Sequence, residues 1–108
     1  MSKNKITPPS ALDNPLRDWL RASRVFTTLK LTDGRTAVVH EVTGYHVFVA
    51  SERSHGNMGT LPYYILMEVT KIDGKFIDSP DELKGYLSGD LMGIMEHIST
   101  QLITLPKL

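Results

Sequence analysis

Leu31-Thr32-Asp33-Gly34-Arg35-Thr36-Ala37-Val38-Val39-His40-Glu41-Val42-Thr43-Gly44 is the stretch on which the fold turns. An Asp-Gly pair stands between two β-rich runs, the sequence signal of a tight hairpin over residues 24–42. A two-residue loop at Asp33-Gly34 predicts a type I′ turn, in which both central residues take positive φ. That loop pairs Thr32 with Arg35, Leu31 with Thr36, Leu29 with Val38, Thr27 with His40 and Val25 with Val42. Val25, Leu29, Leu31, Val38 and Val42 then share one face. Phe26, Thr28, Lys30, Ala37, Val39 and Glu41 share the other. A slip of one residue scrambles this separation, so register carries much of the fold. A lone hairpin is marginal in water, and its apolar face must meet helices or another copy.

Upstream of the hairpin, residues 1–13 hold two prolines, small polar residues and no periodicity, and are expected to form a flexible arm. Asn14-Pro15 reads as an N-cap followed by proline at the first helical position. Leu16, Trp19 and Leu20 would line the inner side of a short helix, with Arg17, Asp18 and Arg21 outside. So short a helix holds only if Trp19 docks on something.

Downstream, residues 44–53 read two ways. Alternation and β-branching allow a third strand with Tyr45, Val47 and Val49 on one face. Thr43 as an N-cap allows a helix with Tyr45, Phe48 and Val49 inward. Ser54-His55-Gly56-Asn57-Met58-Gly59 is a loop. Thr60 then caps a helix over 61–72, along which Leu61, Ile65, Leu66, Val69 and Ile72 recur at helical spacing and which Asp73-Gly74 ends. Ser79-Pro80-Asp81-Glu82 is a capping box that starts a short helix over 80–87. Ser88 caps a last helix over 89–103, striped by Leu91, Ile94, Met95, Ile98 and Leu102. Residues 14–108 thus read as one α+β domain, an N-terminal hairpin packed on a small bundle of three to four helices.

With 108 residues, 41% hydrophobic and 22% charged, the composition is that of an ordinary globular domain with one modest core. No apolar run approaches the ~20 residues of a membrane span, and Met1 to Pro9 lack an apolar signal core. There are no cysteines, which excludes disulfides and thiol chemistry and suits a reducing cytoplasm. Twelve basic residues balance twelve acidic ones, but residues 1–35 carry +4 and residues 36–108 carry −4. Such a split lets the two ends attract, within one chain or head to tail between copies. It disfavours nucleic acid, whose binders concentrate a larger basic excess.

The sequence carries little catalytic chemistry. His40, His46, His55 and His97 form no pair at metal-ligand spacing on one helix face. The glycines make no phosphate-cradling loop ahead of a helix. Asp78, Asp81 and Glu82 read as helix capping rather than acid–base catalysis. No catalytic, cofactor or metal residue is assigned. What remains is surface. Tyr63, Tyr64, Met67 and Met92 lie beside or off the core stripes, and such side chains suit an adaptable partner-binding face.

The succession Leu31-Thr32-Asp33-Gly34-Arg35, Glu41-Val42-Thr43-Gly44, Leu66 to Lys75, Leu83 and Leu87-Ser88-Gly89-Asp90-Leu91 resembles the tail assembly chaperones of Mu-like and P2-like long-tailed bacteriophages. In that family a hairpin precedes a Pro/Thr-Gly helix start. An Asp-Gly-Lys break follows a middle helix, and a Leu-Asp step precedes the last. The resemblance covers about residues 25–102, rests on the order of short motifs, and implies a helix at 44–53. It further implies a non-catalytic virion-assembly protein, phage- or prophage-encoded, acting in the host bacterial cytoplasm. Its partners would be the tape measure protein, which it keeps soluble, and the tail tube protein, with no membrane partner and self-association open. Two other readings stay in view. A small winged-helix DNA-binding or regulatory protein would need a basic recognition helix, and neither 61–72 nor 89–103 is basic. A small metal-dependent enzyme would need His40 and His46 to converge with Glu41 or Glu52.

Overall fold

The computed structural model describes residues 16–103, so the expected arm and the Asn14-Pro15 helix start lie outside the described residues. The chain is an α+β fold. Helix α1 (Arg17–Arg21) leads into strands β1 (Val25–Lys30) and β2 (Thr36–His40). Helices α2 (Gly44–Arg53) and α3 (Leu61–Val69) follow, then strands β3 (Thr70–Ile72) and β4 (Lys75–Phe76). A 3-10 helix (Pro80–Gly85) and α4 (Ser88–Ile103) complete it. The four strands form one antiparallel sheet in the order β1-β2-β3-β4.

The first hairpin is present, but its turn is not type I′. Gly34 N–H donates to the Leu31 carbonyl at 3.0 Å, and Leu31 N–H donates to the Arg35 carbonyl at 2.8 Å. Gly34 has φ +93°, whereas Asp33 is not in the left-handed region. This is the three-residue loop of a type I turn closed by a glycine bulge. Asp33 favours it by accepting from Arg35 N–H at 3.0 Å. The register therefore moves by one: Leu29 opposes Ala37, Thr28 opposes Val38, and the pairing is irregular between Val25 and Thr27. Because side chains alternate, Ala37 and Val39 join Leu29 and Leu31 on the core face, and Val38 turns outward.

The type I′ turn occurs at Asp73-Gly74, with φ +51° and +84°. The middle helix ends at Val69 rather than at residue 72, because Thr70–Ile72 pairs with the second edge of β2. Asp73 secures that pairing: its carboxylate accepts from Thr36 N–H at 3.0 Å, and its own N–H donates to the Thr36 carbonyl at 2.8 Å. A helix-stopping signal thus serves as a hairpin turn, and the predicted lone hairpin is half of a larger sheet.

Residues 44–53 are helical. Thr43 and His46 form the capping box of α2, with histidine in the place usually held by glutamate. The Ser79–Glu82 box is also formed, although it opens a 3-10 helix that ends at Gly85. Helix α4 lies along the first hairpin. At one end the Asp90 carboxylate accepts from Thr32 Oγ1 at 2.9 Å; at the other, Gln101 accepts from Val42 N–H at 2.8 Å. Ile94 and Ile98 of α4 are fully buried against Leu66, Val69, Ala37 and Val39.

Candidate partner-binding surface and the buried arginine cluster

Helix α1 is the reverse of its sequence expectation. Arg21 is fully buried and Arg17 nearly so, while Trp19 is 73% exposed and Leu16 57% exposed. Trp19 does not dock; the arginines do. Arg21 donates to the carbonyls of Met67 at 2.6 Å, Ile77 at 2.8 Å and Glu68 at 3.1 Å, and to the Asp78 carboxylate at 2.8 Å. These carbonyls end α3 and follow β4, positions where helix and strand leave acceptors unused. The guanidinium also lies 4.1 Å from the centre of the Phe76 ring.

Glu68 is the single charge in the run Leu61–Val69 and is fully buried. Its Oε2 accepts from Arg17 at 2.8 Å and from Arg53 at 3.1 Å. Three guanidinium groups, from α1 and α2, thus surround two carboxylates, Glu68 and the more exposed Asp78. Burial lowers the Arg21 pKa from its ordinary value, against the pull of Glu68 and Asp78. For Asp78, burial raises the carboxyl, but the hydrogen bonds from Arg21 and Arg17 outweigh it and hold the pKa below its usual value. Part of the +4/−4 split is therefore spent inside the chain, where α1 ties to α3 and to the segment after β4.

His46 belongs to the same buried seam. Its Nε2–H donates to the Arg21 carbonyl at 3.0 Å, while Nδ1 accepts from Thr43 N–H at 2.9 Å. One donor and one acceptor fix the neutral tautomer, and burial lowers its pKa. His40 Nδ1–H donates to the Ser23 carbonyl at 2.5 Å. Among the described residues no three His, Asp or Glu side chains are grouped so as to hold a metal. The ionisable groups that converge make an internal latch, and its outer carboxylate, Asp78, also lines a small hollow of about 250 Å³ with Asp18, Lys71, Gly74, Lys75 and Phe76.

The four residues proposed for a partner face separate. Met67 is fully buried in the core and is not available at the surface, because the helix from Ile65 to Val69 is enclosed on every side. Tyr64 is half-buried, with Arg53 5.2 Å from its ring centre. Tyr63 is 48% exposed and Met92 68% exposed. Met92 lines a shallow hollow of about 480 Å³ on the outer side of α4, with Gly89, Gly93, Met95, Glu96 and Ser99. A second apolar hollow, about 400 Å³, lies between α2 and α4 and is lined by Val42, Thr43, Gly44, Val47, Gln101 and Leu102. No helix among the described residues is long and apolar enough to cross a membrane. No protein-family model, curated protein or solved structure matches the chain.

Sequence reasoning missed the arginine cluster. The signal was available: Arg17 and Arg21 are four apart, so they share a face of any helix, and Glu68 interrupts an apolar stretch.

Proposed function

We propose that this protein is a non-catalytic tail assembly chaperone of a long-tailed phage. In the host cytoplasm it would coat the tape measure protein, keep it soluble and bring tail tube subunits to it. The observation that carries the reading is the outer side of α4, where Met92 stands exposed over a shallow hollow floored by Gly89 and Gly93. Methionine accommodates irregular apolar surfaces, and glycine lets another backbone approach. The order of the short motifs from Leu31 to Leu91 supports the same reading, although Asp73-Gly74-Lys75 turns a second hairpin where the family pattern has a helix break. A long apolar partner coated by many weakly bound copies gains from avidity, while each copy stays displaceable by tube subunits.

The test is co-expression with a tape measure fragment encoded beside this gene. The wild-type chain should keep the fragment in the soluble fraction. Met92→Glu combined with Tyr63→Ser should lose most of that effect while retaining the wild-type circular dichroism and melting. A fragment that precipitates equally with and without the wild-type chain would reject the assignment.

A further inference from the structure

The sheet has two edges of unequal character. β4 is two residues long, Lys75–Phe76, too short to accept another strand. β1 is the longest strand, Val25–Lys30, and pairs with β2 alone among the described strands. The register decides which of its backbone groups are free. Leu31 N–H bonds to Arg35, so Leu31/Arg35 is a hydrogen-bonded pair, and by alternation so are Leu29/Ala37 and Thr27/Val39. Thr36, across from Lys30, turns its N–H and carbonyl away from β1 to Asp73. The N–H and carbonyl groups of Thr28 and Lys30 therefore point out from the open edge. Val25 and Phe26, at the start of the same strand, are exposed.

We propose that two copies of this chain pair edge to edge through β1, antiparallel about Thr28, to form one sheet continuous through both. The pairing is self-complementary. Thr28 meets its own copy, and Thr–Thr cross-strand pairs are favourable. Lys30 is the only charged residue of the strand, and this register places it opposite the irregular start of β1, Val25 to Thr27, of the second copy. The two lysines then stand four positions apart, about 14 Å along the strands, beyond effective repulsion at physiological salt. Arg24 precedes the strand, so no like charges face one another within it. An isologous pair uses the longer edge left open among the described strands and leaves the short β4 edges outside, so it closes as a dimer and does not propagate. A six-residue strand pair buries less than the roughly 1,200 Å² of a standard stable interface, so association is reversible and concentration-dependent. This inference is independent of the chaperone reading: either can fail alone.

The experiment is amide exchange by NMR on the full-length chain, with sedimentation on the same samples. At about 1 mM, where even weak contacts of some 4 kcal/mol are populated, the chain should sediment as a dimer. The Thr28 and Lys30 amides should then exchange more slowly than after dilution to the monomer, by about twofold where half of the chains are paired and by more as the concentration rises. Thr28→Pro removes one outward N–H that β2 does not use, a change edge strands tolerate. It should give a monomer with the wild-type melting profile. A wild-type chain that stays monomeric at this concentration overturns the proposal, as does fast exchange of Thr28 and Lys30 within a dimer. An extended peptide from another protein that binds β1 while copies stay apart overturns it equally.

Discussion

Arg21 and Glu68 are both fully buried, yet Arg21 spends its Nε–H on the Glu68 backbone carbonyl at 3.1 Å and meets the carboxylate Oε1 only at 3.4 Å. The carboxylate is instead held through Oε2 by Arg17 and Arg53. Arg21 therefore acts first as a backbone cap, closing carbonyls that helix α3 and strand β4 leave open, and only second as an ion-pair partner. A buried guanidinium is expensive to desolvate, and hydrogen bonds to three carbonyls and a carboxylate are what offset it.

Replacing Arg21 with methionine keeps much of the volume but leaves three buried carbonyls and Glu68 with fewer donors. Breaking a buried charged network from one side typically costs ~3–5 kcal/mol. Urea unfolding of Arg21→Met should show a loss of that order. A loss under ~1 kcal/mol, the scale of a surface pair, would mean that α1 is not anchored through this residue.

Acid should weaken the fold through His46. Burial depresses its pKa below the ordinary 6.5, and both ring nitrogens are committed as a neutral ring requires. The unfolded chain takes a proton near the ordinary value while the folded chain resists. His46 therefore contributes fully above about pH 6.5, and its contribution declines as pH falls toward the folded value. Asp78 adds a separate loss at lower pH, below its ordinary 3.8. The melting midpoint should fall between about pH 7 and 5. His46→Gln restores the usual capping-box residue without a titrating ring and should flatten this limb. A wild-type midpoint that stays level over that range would count against the role of His46.

The second hairpin depends on Gly74. At φ +84° any L side chain is strained, and Asp73 already occupies the left-handed region at +51°. Gly74→Val should destabilise by ~1–2 kcal/mol, with a lower thermal midpoint. Gly34→Val should also destabilise, since Gly34 has φ +93°, although its turn is of the other type. Near-wild-type melting of Gly74→Val would rule out the type I′ geometry there.

Local signals in the sequence located the elements well where chemistry acts over three or four residues. The Ser79–Glu82 box, the stripe through Ile94 and Ile98, and the loop from Ser54 to Gly59 could each be read from neighbours alone. The failures are tertiary. Asp-Gly is compatible with two loop geometries, and the choice at Asp33 followed from its bond to Arg35 and the packing of Ala37 and Val39. Thr70 to Ile72 fits a helix by spacing and a strand by β-branching, and only the free edge of β2 decides between them. Arg17 and Arg21 were read as solvent-facing because charge is usually outside. Their acceptors lie 46 to 61 positions away in sequence, so the spacing of four shows that the two arginines share a face but not that the face is buried. Of the residues read as a partner face, Tyr63 and Met92 stand exposed, whereas the spacing of Met67 does not reveal that its helix is covered all round.

Gly93 lies inside α4, and a Cβ built there meets nothing within 4 Å. Its φ lies outside the positive range, so no backbone strain requires glycine. A glycine in a helix interior is about 0.5–1 kcal/mol less favourable than alanine. Gly93→Ala should therefore stabilise the isolated chain by about that amount and raise its thermal midpoint by a few degrees. If the outer side of α4 is where a partner backbone approaches closely, the same methyl should weaken capture of the tape measure fragment. Stability and binding would then move in opposite directions. A Gly93→Ala chain that is less stable than wild type would show that α4 is packed more closely there than the open space around Gly93 allows.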